Sequence, residues 1–292
     1  MASLKDVRLK INGVSKTRQI TKAMYMVASA KLRGAQMRIE HFRPYADKFS
    51  DMLRDLGEKT DDAAHPLLAV RSTQSIGIVV CTPDRGLCGG FNANIIALAL
   101  KFAESKITEG KKVVFYCIGR KGRDAIRSRG YKPALSIINR MGDTSFALAV
   151  EVGGKIRDDF LRGILDEVHM FYGKFISMAR QRPADMRLLP IAGPEPEQPQ
   201  NEKAGQVDYV YEPAVADLLT ELLPKYIDVQ IYRGLLDTSA GENAARMQAM
   251  DNATRNCDEM VKALTLLMNK TRQAAITSEL IDIVGGVEAL KG

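Results

Sequence analysis

Apolar residues near the carboxyl end of the chain recur at alternating intervals of three and four positions. The series begins with Met250, Ala253, Cys257, Met260, Leu264 and Leu267. It continues through smaller or more polar residues, which are Thr271, Ala274, Ser278 and Ile281. Such heptad spacing places one narrow apolar stripe on a helix and is typical of a coiled coil. Residues 242–284 contain neither glycine nor proline, so we expect one long helix there, ended by Gly285 and Gly286, within a helical region that begins near Pro213.

The amino-terminal segment carries a matching pattern. Its apolar positions are Leu4, Val7, Ile11 and Val14, and after a shift of phase they resume at Ile20, Met24 and Val27. Helical periodicity continues to about residue 56, with Pro44 as an expected kink or break. Two long seams at opposite ends of one chain favour an intramolecular antiparallel coiled coil, but the spacing also allows a coil between two copies of the chain.

The residues between the two seams alternate between strand and helix patterns. Strands are predicted at 76–81, 112–117, 134–138, 168–178 and 186–191, and helices at 92–106, 119–129 and 145–165. The predicted fold is therefore of the α/β class, with a long antiparallel coiled coil of the terminal helices plus a central Rossmann-like α/β domain. The expected division is 1–60 for the first coiled-coil helix, 75–192 for the α/β domain, 193–206 for a proline-rich linker and 207–292 for the second coiled-coil helix.

Composition and charge narrow the classes of function. The chain has 292 residues, of which 46% are hydrophobic, and a formal net charge of +7. It contains no run of 18 apolar residues, which argues against a membrane span, and its first residues lack the apolar stretch of a signal peptide. The four cysteines and three histidines are scattered without the spacing of metal ligands, so neither a metal nor a cofactor is expected.

The glycine-rich segment Asp84–Asn92 follows the first predicted strand, which is where α/β sheets bind ligands. It matches neither the dinucleotide-binding nor the P-loop pattern, and no catalytic nucleophile motif is recognisable, so a structural or partner-contacting loop is favoured over a nucleotide site. Basic residues are frequent in residues 1–50, but they interleave with the seam instead of preceding it as in basic leucine zippers. A nucleotide-binding α/β enzyme and a coiled-coil dimer that binds nucleic acid remain the alternative hypotheses.

Several motifs, in the same order and over nearly the whole chain, resemble the γ subunits of bacterial F-type ATP synthases. They are residues 17–24 (TRQITKAM), 43–45 (RPY), 84–90 (DRGLCGG), 209–213 (YVYEP), 242–247 (ENAARM) and 276–286 (ITSELIDIVGG). Val287 departs from the alanine that is usual at this place in the family. The chain also lacks the dithiol-bearing insertion of chloroplast members, so the resemblance implies no light-linked redox control.

The resemblance implies a non-catalytic subunit that acts as a central rotor shaft. In this family the coiled coil stands inside a ring of three α and three β subunits, and the α/β domain meets the ε subunit and the ring of membrane c subunits. Rotation of the c ring by proton flow is thereby coupled to ATP synthesis or hydrolysis. The implied location is peripheral, on the cytoplasmic face of the bacterial inner membrane, and no nucleic-acid partner is implied.

The same resemblance assigns contact residues. Those implied to face the α/β ring are Lys22, Met24, Arg85, Cys88, Arg246, Arg272, Gln273, Thr277, Glu279 and Asp282. Those implied to face the c ring or the ε subunit are Tyr209 and Glu212. The resemblance implies no catalytic, cofactor-binding or metal-binding residue.

Overall fold

The computed structural model describes residues 4–57, 65–191 and 215–291, and these ranges form two long terminal helices and an α/β sheet. Along the chain the elements are α1 (Leu4–Gly57), β1 (Ser75–Cys81), α2 (Phe91–Thr108), β2 (Lys112–Ile118), α3 (Arg120–Ser128), β3 (Leu135–Ile137), α4 (Phe146–Leu161), β4 (Glu167–Phe175), β5 (Gln181–Leu189) and α5 (Val215–Lys291). The predicted fold class is confirmed. The predicted linker 193–206 lies outside the described residues.

Both long helices run through residues that were expected to interrupt or end them. Pro44 lies inside α1, so the predicted break does not occur. The predicted stop at Gly285 and Gly286 is also wrong, because α5 continues to Lys291 and neither glycine has the positive φ that commonly ends a helix.

Aromatic packing on both sides of Pro44 explains why α1 tolerates a proline that costs an isolated helix about 3 kcal/mol. Phe42 packs edge-on against Tyr232 of α5, with ring centroids 4.7 Å apart. Phe49 stacks on Tyr226 of α5, with ring centroids 6.4 Å apart. These contacts hold α1 in place before and after the proline, so tertiary packing outweighs the local preference to break.

The described chain packs as two compact units. The smaller unit contains α1 up to Ser29 and α5 from Arg246 onward, and the larger unit contains the described residues from Ala30 to Ala245. This division cuts through both long helices, whereas the domain boundaries predicted from the sequence followed the ends of the helical patterns. Each long helix therefore contributes to two different cores.

The strands of the larger unit form one sheet in the order β3-β2-β1-β4-β5. β1 pairs in parallel with β2 and β4, β2 pairs in parallel with β3, and β5 is an antiparallel edge strand. β1 is buried along its whole length because it stands at the centre with helices on both faces. Its side chains alternate, so that Ile78 and Val80 pack with α2 and α3 while Val79 and Cys81 pack with α4 and α5.

The part of α5 in the larger unit is buried on nearly all sides. Residues 227–231 and 234–244 are all buried, although an ordinary surface helix buries only one stripe. Glycines permit this close approach. A Cβ on Gly234 would lie 2.6 Å from Cε of Met170, and a Cβ on Gly241 would lie 2.8 Å from the ring of Phe91.

Two buried polar side chains in this stretch of α5, Asp228 and Thr238, have hydrogen-bond partners on neighbouring elements. The backbone N–H of Gly173 on β4 donates to Thr238 Oγ1 at 3.2 Å. Arg157 on α4 pairs with Asp228 and also donates to the carbonyl of Pro224 at 2.8 Å. A buried polar group is costly when it is unpaired, so these bonds fix the position of α5 as well as its burial.

We expect alanine to have opposite effects at two helical glycines, Gly241 and Gly34. Nothing lies within 4 Å of a Cβ placed on Gly34, so Gly34→Ala gains about 1 kcal/mol of helix propensity. At Gly241 the same gain is outweighed by crowding against Phe91, and Gly241→Ala is expected to lose about 1–2 kcal/mol net. Chemical denaturation of the isolated variants measures both effects. Equal stabilisation by the two substitutions would show that the contact between Gly241 and Phe91 does not fix the position of α5.

Candidate interaction surfaces

In the smaller unit, α1 and α5 pair within one chain as an antiparallel coiled coil. Arg18 Nη1 donates to Asp258 Oδ1 at 2.8 Å, and the hydroxyl oxygens of Thr21 and Thr254 lie 2.8 Å apart. Residue numbers therefore rise along one helix as they fall along the other. Thr21 is only 8% exposed, so a polar pair occupies the seam itself.

The seam on α1 shows no shift of phase, contrary to the sequence prediction. It runs through Val7, Ile11, Val14, Thr21 and Ala28, all buried or half-buried. The predicted seam residues Ile20 and Val27 are 60% and 57% exposed. The apparent shift arose because the pattern counted only apolar residues and passed over Thr21. Thr21 can lie in the seam because its hydroxyl pairs with that of Thr254 on α5.

On α5, every second predicted seam residue lies one position before the residue that occupies the seam in the structure. It runs through Met250, Thr254, Cys257, Val261, Leu264, Met268 and Thr271. Met260 and Leu267, which were predicted to lie in it, are 52% and 46% exposed. Apolar residues occupy neighbouring positions, Met260 with Val261 and Leu267 with Met268, so the sequence allows two heptad phases. The pairing of Thr254 with Thr21 selects one of them.

α5 extends beyond the start of α1. The register of the coil places Leu4 level with about residue 272 of α5. Residues 272–287, which we call the α5 tip, are all exposed and span about 24 Å at 1.5 Å per residue. Ala274, Ser278 and Ile281, predicted as seam, are exposed in this tip. The exposed apolar residues of the tip lie at helical spacing and include Ile276, Leu280, Ile283, Val284 and Val287. An apolar stripe of this kind suits contact with another protein.

The residues predicted to contact partners fall into separate groups. The exposed group on the α5 tip consists of Arg272, Gln273, Thr277, Glu279 and Asp282. On the paired part of the coil, Lys22 is exposed, and Met24 and Arg246 are half-buried. Arg85 and Cys88 lie in the loop that follows β1. Tyr209 and Glu212 lie outside the described residues.

The loop after β1 is closed by its own carboxylate. Asp84 Oδ1 accepts hydrogen bonds from the backbone N–H groups of Arg120 at 2.9 Å and Asn139 at 2.8 Å. Asp84 Oδ2 accepts a third from Met141 N at 3.2 Å. The start of α3 is a place where a phosphate could bind in such a fold, because helix N-termini attract anions. Asp84 fills that place. It begins the motif 84–90, but the motif did not indicate that its carboxylate binds the start of α3.

The two predicted contact residues of this loop differ in exposure. Cys88 is 2% exposed and packs in the core with Phe91 and Ile95, so its side chain faces inward. Arg85 is exposed, and its carbonyl accepts a hydrogen bond from Asn92 Nδ2 at 3.1 Å. The side chains that a partner can reach on this loop are those of Arg85 and Leu87.

We expect Asp84→Ala to destabilise the chain by about 1–3 kcal/mol, because three backbone N–H groups lose their acceptor. Added phosphate is expected to restore part of the loss by occupying the vacated position. Asp124→Ala is the control, since Asp124 pairs with Arg123 at the surface and contributes little. Thermal denaturation with and without phosphate measures the effect. A similar small change in both variants would show that Asp84 does not hold the loop.

A cavity of about 60 Å³ lies where α1, the end of β4 and α5 meet in the larger unit. Three cations line it, Arg43, Lys174 and Arg233, together with the buried Asp237. Burial raises the pKa of Asp237 to about 6, although the three positive charges oppose that shift. No sequence pattern indicated this group, because its burial depends on the packing of three distant segments.

The raised pKa of Asp237 predicts a pH-dependent stability. Between pH values of about 4 and 6 the folded chain binds more protons than the unfolded chain, so stability falls as pH rises through this range. Asp237→Asn removes the buried charge and is expected to stabilise the chain by up to about 3 kcal/mol at pH 8, with only a small gain at pH 4. Asp47→Asn, on the exposed rim of the same cavity, is the control. A gain that does not change with pH would contradict the assignment.

The described parts of the chain contain no group of three or more His, Cys, Asp or Glu side chains arranged to hold a metal ion. Burial raises the pKa of the Cys81 and Cys117 thiols to about 12, so neither is a reactive thiolate at neutral pH. In residues 4–57, 65–191 and 215–291 no helix combines the length and apolar character needed to cross a membrane.

Comparison of sequences places the chain among well-defined relatives. A family model described as ATP synthase matches residues 3–290. The ATP synthase gamma chain of Nitratidesulfovibrio vulgaris (strain DSM 19637 / Miyazaki F) is 60% identical over 293 aligned positions, which cover 100% of both chains. The ATP synthase gamma chain of Lawsonia intracellularis (strain PHE/MN1-00) is 56% identical and is also covered completely.

Solved structures share the fold at low sequence identity. A chain of the Euglena gracilis mitochondrial ATP synthase, in the OSCP/F1/c-ring structure, aligns with a TM-score of 0.66 at 21% identity, covering 98% of this chain and 94% of that one. A chain from the central stalk and c-ring structure of the Tetrahymena thermophila mitochondrial ATP synthase aligns with a TM-score of 0.62 at 24% identity, covering 80% and 99%. The paired terminal helices and the α/β domain are thus a fold already seen in ATP synthases.

Proposed function

Because the chain belongs to the ATP synthase gamma chain family, we propose that it is the central rotor shaft of an F-type ATP synthase. It transmits torque between a c ring driven by protons and a catalytic ring of α and β subunits. The function requires one stiff element that touches both rings, and the two long helices provide it. The α/β domain provides the surface where the c ring and the ε subunit would bind.

The observation that carries this proposal is the exposed α5 tip at the end of an intramolecular coil. A helix of this length that is bare over residues 272–287 needs another protein around it. The tip offers its apolar stripe and, at Arg272, Glu279 and Asp282, charges of both signs. A narrow apolar stripe among charged side chains favours contacts that form and break as the shaft turns.

The shaft has to change the nucleotide affinity of three chemically equivalent catalytic sites in the surrounding ring. It does so because its surface is asymmetric. One helix continues past the other at the tip, so the tip presents different side chains in each direction. A shaft changes the state of a surrounding subunit only by contacting its conformations differently. The coupling between rotation and nucleotide affinity is the free energy of those differential contacts.

We further propose that the chain is itself non-catalytic. At the carboxyl end of the central strand, Asp84 accepts backbone hydrogen bonds from the start of α3 and from the segment after β3, so the chain's own carboxylate takes donors that a bound anion could use there. The proposed contact residues are those on the coil, the α5 tip and the loop after β1, together with Tyr209 and Glu212 toward the c ring. The proposed location is the cytoplasmic face of the bacterial inner membrane, where the c ring holds the shaft.

The test is reconstitution with the α and β subunits of the same organism, using the full chain and a chain that ends at Thr271. The full chain is expected to enter the complex as one copy per ring and to change its rate of ATP hydrolysis. The shortened chain loses only exposed residues in the described part of the tip, so it is expected to keep its Tm while losing much of that effect.

Two results would contradict the proposal. One is that the full chain purifies as a stable dimer and does not join the α/β ring. The other is that the full chain hydrolyses ATP without the other subunits. The shortened chain serves as the internal control, because equal behaviour of the two chains would show that the tip is not the contact surface.

A further inference from the structure

The cavity where α1, the end of β4 and α5 meet brings three cations together. Arg43 comes from α1, Lys174 from β4 and Arg233 from α5. Among the described residues, no side chain of opposite charge forms an ion pair with any of the three. Like charges repel at short distance, so cations from three separate elements converge here at a cost. An anion among them would offset that cost.

A carboxyl group forms the buried wall of this cavity. Asp237 is only 8% exposed, and within the described part of the chain its side chain accepts no hydrogen bond and forms no ion pair. Buried polar groups nearly always have a partner, because burial without one is costly. The three cations act on Asp237 only through their charge, at a distance. A ligand in the cavity therefore meets both the cations and a carboxyl group that needs a partner.

Charge and volume indicate which ligand fits. The three cations outweigh the carboxylates of Asp237 and of Asp47, which lies at the exposed rim, so the cavity attracts an anion. Its volume is about 60 Å³, whereas one water molecule takes about 30 Å³ in the liquid, so a small tetrahedral ion fits and a nucleoside does not. The apolar walls include Ile39, Phe42 and Phe175. They exclude water and thereby strengthen the attraction between an anion and the cations.

We propose that this cavity is a binding site for a small tetrahedral oxyanion of the phosphate class, bound as a free ion. Arg43 and Arg233 supply guanidinium N–H groups, which match the edge of an oxyanion, and Lys174 supplies a third positive charge. Asp237 takes part as the neutral acid, whose O–H donates to an oxygen of the ion. A bound ion ties α1 to the end of β4 and to α5, and this role goes beyond the proposed shaft function and does not require it.

Protonation of Asp237 and binding of the anion favour each other. Burial raises the pKa of Asp237 to about 6, and a nearby anion raises it further because two negative charges repel. By linkage, the anion binds more tightly below this pH than above it. The charged and titratable groups that face Asp237 are Arg43 and Asp47 from α1, Lys174 and Tyr172 from β4, and Arg233 from α5. Burial also raises the pKa of Tyr172, so this phenol stays neutral throughout the range.

The first experiment measures binding of labelled sulfate to the full chain by equilibrium dialysis, at an ionic strength held constant with sodium chloride. Sulfate is the probe because, unlike phosphate, it keeps the same charge between about pH 5 and pH 8. We expect one sulfate per chain, with an affinity that falls about tenfold from the lower to the higher pH. Asp237→Asn is expected to remove this pH dependence and to retain the tighter binding at pH 8. Absence of saturable binding overturns the proposal, as does the same pH dependence in the variant.

The second experiment removes the cations one at a time. Lys174→Gln and Arg233→Gln are each expected to weaken sulfate binding about tenfold, because each removes a charge-assisted contact. Arg129→Gln is the control, since Arg129 is an exposed cation of the larger unit that pairs with Glu104 and does not line the cavity. Equal losses in all three variants would show that sulfate responds only to net charge, which overturns the proposal. If Lys174→Gln lowers the Tm too far, Arg233→Gln decides, because its side chain is exposed.

Competition with unlabelled ligands identifies the form in which the oxyanion binds. Phosphate is expected to displace the labelled sulfate, and ADP at the same concentration is not, because the cavity has no room for a nucleoside. Displacement by ADP at lower concentrations than phosphate would overturn the assignment to a free ion. All these measurements use the chain without α and β subunits, so a negative result strikes the anion site alone and leaves the proposed shaft function to its own test.

Discussion

The larger unit depends on the burial of one stretch of α5 against the sheet. Residues 227–231 and 234–244 are enclosed as a core strand would be, although they form a helix. Two glycines allow the backbone to approach β4 and α2, and hydrogen bonds to Thr238 and Asp228 fix its height and rotation. A helix held in this way cannot turn about its own axis without opening the core, because interiors are close-packed and have little room to relax. Torque applied to the larger unit therefore turns α5 together with the sheet, as a shaft requires.

The coil of the smaller unit is held in a different way. Its seam mixes apolar side chains with threonines, and its ion pair between Arg18 and Asp258 is about half exposed and contributes little. Polar pairs in a seam fix register at a cost in stability. Here the pair of Thr21 and Thr254 sets the alignment that leaves the α5 tip bare. The register of the coil matters more than its stability, because a slip of one heptad would change the length of the exposed tip by about 10 Å.

Sequence patterns were sufficient for the elements and their order, and insufficient for the details that depend on pairing. The apolar run at the start of the domain predicted a central strand correctly, because a strand buried on both faces leaves a continuous signal. Ile20, Val27, Met260 and Leu267 were wrongly assigned to the seam. A search for apolar spacing does not count a threonine, and Thr21 and Thr254 occupy the seam only because they pair with each other. Pro44 was expected to kink or break a helix and Gly285 to end one, both from local preferences, but the two long helices run through them. The position of Asp237 had no local signal at all.

The loop after β1 was located by its local sequence pattern, but its structure depends on hydrogen bonds to distant segments. In this fold the carboxyl end of a central parallel strand is the usual place for a ligand, and its backbone N–H groups attract an anion. Here the chain supplies its own anion in Asp84, so the electrostatic demand is met without a ligand. The loop that elsewhere would close over a phosphate is thereby free to point outward, and it carries Arg85 and Leu87 at its surface. A carboxylate that takes the backbone donors thus leaves a firmly held loop whose exposed side chains point away from the sheet edge.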